Sequence, residues 1–353
     1  MVDEGLVLNW DRPTASEPGL VRFAAFAAPA AKQSLLPYEY EPAAIRPQDV
    51  EIQISHCGIC HSDLHLIDND WSLSTYPLVP GHEIVGTVTA VGQDCVLTVG
   101  QRVGVGWQRS ACFDCEQCRA GNENLCARQE ATCVGHKGGF ASRIRLDGRF
   151  VFPLPESLDA AAAAPLLCAG VTVFAPLRRW RVAAGAQVGV IGIGGLGHLA
   201  LQFLRALGCE TTAFTSSPDK RDAAERLGAQ HVVPSTSTRA ILANADRFEF
   251  LLCTAPARLD WITYLQTLKP NGVLCLVGAP PGLLQIPAAQ LLTSQRVICG
   301  SDIGSRGAIR ETLAFAAEHG IAAEVETAPM ADVNAALQRV RENRVRHRMV
   351  LTN

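Results

Sequence analysis

Two textures of apolar and polar positions divide the chain. Between about Val21 and Phe152 the apolar residues come in short runs broken by glycine turns. Val50-Glu51-Ile52-Gln53-Ile54 alternates with a period of two, and the stretches 84–91 and 100–105 are β-rich. This pattern predicts a compact β domain with long loops. After Pro165 the pattern changes. The stretch 188–191 is a continuous apolar strand, and Ala200, Phe203, Leu204 and Leu207 then share one helical face until Gly208 ends it. A second strand is predicted at 211–215, which completes a βαβ unit. Helices at 220–227 and 260–268 alternate with strands at 250–253 and 273–277, and such alternation predicts a doubly wound parallel sheet. Beyond Gly304, helices at 308–318 and 332–341 lead into a last strand at 348–351. Residues 1–20 are polar, contain proline and show no periodicity, so they read as a peripheral lead-in.

Composition narrows the classes. At roughly 150 residues per domain, 353 residues suggest two domains. With 31 basic against 34 acidic residues the net charge is −3, so the basic surface of a nucleic-acid binder is missing. No apolar run approaches the ~18 residues that cross a bilayer. The start, Met1-Val2-Asp3-Glu4, is acidic and lacks the basic and apolar regions of a secretory signal. The expectation is a cytoplasmic protein with no nucleic-acid or membrane partner. Of 13 cysteines, four fall between 112 and 126. In a reducing compartment such a cluster is more often a metal site than a pair of disulfides.

Three constellations carry chemistry. The first is Cys112-x2-Cys115-x2-Cys118-x7-Cys126. Four thiolates fill the tetrahedron of a zinc ion, so this site is expected to be structural. Two disulfides or free thiols are the alternatives. The second is dispersed: Cys60, His82 and Cys168 fit a Cys2His zinc site with one position open, while Cys57, His56, His61 and His65 stand close enough in sequence to compete. The third is Gly192-x-Gly194-x-x-Gly197, with Gly195 and Leu196 inside it, after a strand and at the start of a helix. This context fits a dinucleotide whose pyrophosphate sits at the helix N-terminus. At the end of the next strand, Thr215, Ser216 and Ser217 stand where an NAD site carries an acidic residue, and Lys220 follows. Hydroxyls and a cation suit a 2′-phosphate, which favours NADP(H). Asp219 holding a ribose is the alternative.

The motifs GICHSDLH at 58–65, YPLVPGHEIVG at 76–86, the four-cysteine lobe, PLLCAGVTVF at 165–174 and GIGGLGH at 192–198 together resemble the zinc-dependent medium-chain alcohol dehydrogenases. Within them the chain resembles the cinnamyl alcohol dehydrogenase group and the bacterial broad-specificity NADPH-dependent aldehyde reductases, from about Tyr38 to the C-terminus. The resemblance implies an α/β chain: a GroES-like β-barrel catalytic domain (1–168), a Rossmann domain with a doubly wound parallel sheet (169–304), and a return to the catalytic domain (305–353). It implies two zinc ions, with Cys60, His82 and Cys168 around the catalytic one, Glu83 close behind and Asp63 orienting His82. Ser62, His65 and Asp70 match proton-relay positions. Thr172, Ser301 and Ile303 match positions at the cofactor, and Thr215, Ser216, Ser217 and Lys220 match the NADP phosphate site. Trp71, Trp107 and Ile303 match walls of the substrate pocket. The chain departs from the plant enzymes in a shorter segment after Cys126 and in Asp302, which replaces an aromatic residue.

The expected function is hydride transfer between NADP(H) and an aldehyde/primary alcohol pair, in a homodimer acting on small molecules with broad specificity. A polyol or secondary-alcohol dehydrogenase of the same superfamily is the nearest alternative. A non-enzymatic nucleotide-binding zinc protein is the alternative from another class, but it would have no use for an open zinc site.

Overall fold

The computed structural model describes residues 21–353, so the expected lead-in at 1–20 lies outside the described residues. The chain forms two compact units.

The first unit runs through Cys168 and takes back Ser305–Leu313 and Glu324–Asn353. Its main sheet has the order Val325–Pro329, Arg348–Thr352, Asp49–Ile59, Glu83–Val91, Arg102–Val105, Val151–Pro153, with Arg143–Asp147 added on Asp49–Ile59. The alternation read at 50–54 holds for Val50, Ile52 and Ile54, which face the core, and for exposed Gln53. Glu51 breaks it. That side chain is buried because Arg143 lies 3.0 Å away and Arg145 2.5 Å away, so its charge is matched rather than solvated. The last strand is tied in by antiparallel pairing with the 49–59 strand, with Met349 opposite Ile59. This pairing brings the C-terminal end of the chain to the residues just before Cys60.

The second unit comprises Ala169–Gly304 and Ala314–Ala323. Its six parallel strands lie in the order His231–Pro234, Glu210–Thr215, Gln187–Ile191, Phe248–Cys253, Leu268–Leu276, Val297–Gly300. In chain order this is third, second, first, fourth, fifth, sixth, the doubly wound arrangement that opens a nucleotide crevice beyond the first strand. The strands Gln187–Ile191 and Phe248–Cys253 are buried along most of their length because helices cover both faces of such a sheet.

The elements differ from expectation in detail. The helix expected over 260–268 is only Trp261–Leu265, capped by Asp260 accepting from the Thr263 amide at 3.2 Å. The chain then turns directly into the strand Leu268–Leu276, where Leu268 already pairs with Phe248. The helix expected at 220 begins at Arg221, because Pro218–Lys220 form a 3-10 turn first. The return expected for 305–353 is interrupted by 314–323. Phe315 stacks obliquely on Phe174 at 4.9 Å, and Gln202 donates to the Ala322 carbonyl at 2.9 Å, so this stretch packs with the Rossmann core.

Candidate active site and nucleotide loop

Asp63 is the organising residue of the first unit's site. The strand Asp49–Ile59 ends at Cys60, whose extended backbone caps the helix His61–Asp68. Asp63, in the first turn of that helix, accepts from the Cys60 amide at 2.8 Å, closing a capping box. Its other oxygen accepts from the Gly81 amide at 2.9 Å and faces His82 Nδ1 at 3.1 Å. One fully buried carboxylate thus pins two segments and fixes the His82 ring with Nδ1–H as donor. The far nitrogen, His82 Nε2, is then an acceptor, and it is buried with no hydrogen-bond partner.

An orphaned buried nitrogen calls for a partner. The ligand atoms of Cys60, His82, Glu83 and Cys168 all lie within 4.8 Å of one another. Two thiols, an imidazole and a carboxylate converging on one unsatisfied nitrogen fit a zinc ion with few protein ligands. The Cys168 thiol, hydrogen-bonded to Cys60, holds Cys60 well below the usual thiol range, and His82 adds to this against the effect of burial. Of the competitors left by sequence, Cys57 is a packing residue whose sulfur would lie 2.9 Å from a Cβ at Gly81. His56 binds Ser55 at 2.9 Å. Cys133, not singled out from sequence, is buried in a cluster with Asp63 and His82.

Glu83 is held away from solvent by a residue that sequence reading missed. Arg348, on the last strand and 4% exposed, forms a buried ion pair with Glu83. Burial pushes the Glu83 carboxyl up and the Arg348 guanidinium opposes it. Gly58 makes room for this arrangement, since a Cβ there would stand 2.1 Å from Glu83 Oε2. The available signal was one arginine at the head of an otherwise apolar strand, Arg348-Met349-Val350-Leu351.

The remaining site residues of this unit gather around the same point. Ser62 Oγ is 3.6 Å from Cys60 Sγ. His65 Nδ1 meets Asp70 Oδ2 at 2.8 Å, and its ring lies 5.0 Å from Trp71. Trp107 stands edge-on to His82 at 4.9 Å and to Trp71 at 6.5 Å, so the two indoles form an aromatic wall beside the histidine. Ser62 and His65 are not hydrogen-bonded to each other.

The four-cysteine lobe is assembled as well. Cys112, Cys115, Cys118 and Cys126 place their sulfurs within 4.8 Å of one another. The Cys115 amide points at Cys112 Sγ and the Arg128 amide at Cys126 Sγ, each at 3.3 Å. Amides from Asp114 and Cys115 bring the Cys112 thiol down to about 6, so a thiolate is available for a metal. Four sulfurs without a gap for water suit structural zinc. Glu123, within the lobe, pairs with Arg306 at 3.2 Å, a tie also missed from sequence. We expect elemental analysis of gently purified protein to give two zinc ions per chain, and a reproducible value of one or less would contradict the two-site assignment.

In the second unit each motif glycine has its own reason. Gly192 has φ +92°, and a Cβ there would meet Ala255 at 2.9 Å. Gly197 leaves no space, because its Cβ would lie 2.0 Å from the Gly192 carbonyl oxygen. Gly194 faces open space, with nothing within 4 Å, which is where a pyrophosphate would approach the backbone. Gly195 and Leu196 complete the turn into the helix Gly197–Ala206. Thr254, unforeseen from sequence, donates to the Gly192 carbonyl at 2.7 Å and braces the loop. At the end of the second strand the Ser217 amide donates to buried Thr215 Oγ1 at 3.2 Å, and Ser216 is exposed. Lys220 reaches back to the Ile193 carbonyl at 3.0 Å, which sets its ammonium beside the glycine loop. Thr172 is buried in the helix Ala169–Arg179. Ser301 donates its amide to Leu276 at 3.0 Å. Ile303 is buried with φ +40°, an unfavourable conformation for a β-branched residue.

Comparison with known proteins gives a consistent picture. Residues 46–156 match the family described as alcohol dehydrogenase GroES-like domain, and residues 195–318 match zinc-binding dehydrogenase. The chain is 44% identical to the aldehyde reductase AdhA of Synechocystis sp. over 93% of its own length and 98% of that protein. Among solved structures, a cinnamyl alcohol dehydrogenase from Sorghum bicolor has a TM-score of 0.90 at 39% identity, covering 94% of this chain and 97% of that one. A cinnamyl alcohol dehydrogenase from Helicobacter pylori complexed with NADP(H) has a TM-score of 0.87 at 30% identity, covering 94% and 98%.

Proposed function

Because the chain belongs to the zinc-binding alcohol dehydrogenases with a GroES-like domain, we propose that it is an NADP(H)-dependent reductase of aldehydes with broad specificity, running reversibly to primary alcohols. The observation that carries this reading is the unpartnered His82 Nε2, aimed at Cys60 and Cys168 and locked from behind by Asp63. Such a set would hold zinc with a coordination position left for a substrate oxygen. When bound, zinc supplies Lewis acidity toward a carbonyl and the reduced nicotinamide supplies the hydride.

The chain's own residues do the rest. Cys60, His82 and Cys168 hold the metal, and Glu83 stays behind it, tethered by Arg348. The Ser62 hydroxyl, beside Cys60, donates the proton that the reduced product needs, and its own proton is replaced through His65 with Asp70 as orienting partner. Trp71 and Trp107 offer an apolar wall to the aldehyde's side chain. The glycine loop, Thr172, Ser301 and Ile303 hold the dinucleotide, and Thr215, Ser216, Ser217 and Lys220 recognise its 2′-phosphate. An aldehyde panel with NADPH consumption as readout tests the proposal. Turnover of several unrelated aldehydes supports it, whereas turnover of polyols or secondary alcohols alone would favour the polyol alternative.

Cofactor choice gives a second test. No acidic residue stands at Thr215, and the Lys220 ammonium is within the loop. Charge-assisted contacts to a 2′-phosphate are expected to favour NADPH over NADH by about tenfold to a hundredfold in kcat/KM. Lys220→Ala is expected to erode that ratio. Equal efficiency with both cofactors in the parent protein would contradict it.

We further propose a homodimer in the cytoplasm. The exposed Leu283 and Leu284 of the second unit support association. Cys60, Cys168 and the four cysteines of the lobe stand in groups that could hold a metal ion, a use of thiols that a reducing compartment favours. Among the described residues no single helix is long and apolar enough to cross a membrane. Light scattering on eluting protein tests the dimer.

A further inference from the structure

The strands Leu268–Leu276 and Val297–Gly300 run parallel, with Cys275 directly opposite Cys299. Residues at paired positions project from the same face, and the two thiols are hydrogen-bonded to each other. Cys275 is buried, whereas Cys299 is half-buried on the edge strand of the sheet. Neither belongs to a metal-ligating group among the described residues. Cys253 on the neighbouring strand is opposite Leu276, so it faces the other side of the sheet and does not compete.

We propose that Cys275 and Cys299 are a redox pair that closes to a disulfide on exposure to hydrogen peroxide and reopens with thiols. Their surroundings divide the labour. The Cys275 hydrogen bond brings Cys299 down to about 7, and the nearby Trp180 indole and Arg179 guanidinium also favour its anion. The Trp180 N–H is buried with no hydrogen-bond partner. The same hydrogen bond, with burial, keeps Cys275 protonated. Cys299 is therefore the nucleophile and Cys275 the resolving thiol. The Cys299 thiolate attacks one peroxide oxygen and the O–O bond breaks. Cys299 becomes a sulfenic acid, and the leaving hydroxide takes a proton to give water. The Cys275 sulfur then attacks the Cys299 sulfur, the S–O bond breaks, and the departing hydroxide takes the Cys275 proton as a second water. Two thiols are oxidised by two electrons and one peroxide is reduced.

Strand spacing lets the bond form. Neighbouring strands lie ~4.7–4.9 Å apart, inside the ~4.4–6.8 Å between Cα atoms that a disulfide spans. With Cys299 half-buried on an edge strand, the bond is open to exchange with small thiols. It would tie together the two strands that lead into Ser301 and Ile303 on one side and Val277 on the other, so the switch sits at the root of the proposed cofactor segment.

Trypsin makes the test direct. Cleavage after Arg258, Arg296 and Arg306 puts Cys275 in peptide 259–296 and Cys299 in peptide 297–306, with no other cysteine in either. Zinc-loaded protein is treated with limiting hydrogen peroxide, alkylated, digested and weighed by mass spectrometry. The expected product is the two peptides joined and lighter by one hydrogen pair, restored to separate thiols by dithiothreitol. In Cys275→Ser, the same treatment should leave a Cys299 sulfenic acid that dimedone captures. Recovery of both peptides as free thiols while other cysteines in the chain are oxidised would overturn the pair, as would a 297–306 peptide joined only to its own copy. The measurement on the parent protein decides the matter even where the variant folds poorly.

Discussion

Ser62→Ala is expected to lower kcat by about 10²–10⁴-fold, the range for a positioned proton donor, while zinc content stays at two per chain. Reducing an aldehyde leaves its oxygen short of a proton, and a hydroxyl can give one up while accepting another, so it carries no net charge through the exchange. Ser62 is placed for this, with its Oγ 3.6 Å from Cys60 Sγ in the first turn of the His61–Asp68 helix. His65→Ala should cost less than Ser62→Ala, because water can stand in for the outermost member. His65 is held by Asp70 at 2.8 Å and packed on Trp71, so its removal also loosens the indole wall and should raise KM. A Ser62→Ala protein with near-parental kcat, and with a deuteride isotope effect showing the chemical step to be rate-limiting, would remove Ser62 from the mechanism.

Arg348→Met should produce the largest loss of stability. Glu83 is fully buried and Arg348 nearly so, and deleting one member of such a pair strands the other charge. The expected cost is about 3–5 kcal/mol, read from denaturant midpoints of the zinc-loaded protein. The double variant Arg348→Met/Glu83→Gln should recover much of it, since no charge is then left alone. The pH dependence has a definite sign. Burial already raises the Glu83 carboxyl, and removing the opposing guanidinium raises it further. The folded variant then binds a proton that the unfolded chain has lost, so its destabilisation grows as pH rises toward the folded-state value and shrinks as pH falls below the unfolded-state value. A midpoint unchanged from the parent would show that the pair has no energetic role.

Arg348 also shows where sequence reading reaches its limit. The four-cysteine lobe and the glycine turn are each built within a dozen or so residues, so spacing alone displays them. Arg348 reaches Glu83 across 265 residues, through the pairing of Met349 with Ile59, and no local pattern carries that register. Thr254 bracing Gly192 and Arg306 holding Glu123 are missed for the same reason. The strand His231–Pro234 escaped because it is short and half exposed, with no alternation to read. The doubly wound parallel sheet was legible from four of its six strands, because buried parallel strands read as apolar runs punctuated by glycine turns.

The three-way grip of Asp63 bears on how the enzyme acquires its metal. Because one carboxylate joins the Cys60 amide, the Gly81 amide and the His82 ring, bonds between protein groups alone fix the donor nitrogen of His82. An incoming ion would then find its cage already shaped and pay little ordering entropy on entry. Chelation at this site should accordingly leave the fold standing, and activity should return on adding zinc back at a rate set by ion arrival rather than by refolding. The lobe at 112–126 is held by backbone amides on its sulfurs rather than by a carboxylate that orients its ligands, so its occupancy and its structure should rise and fall together.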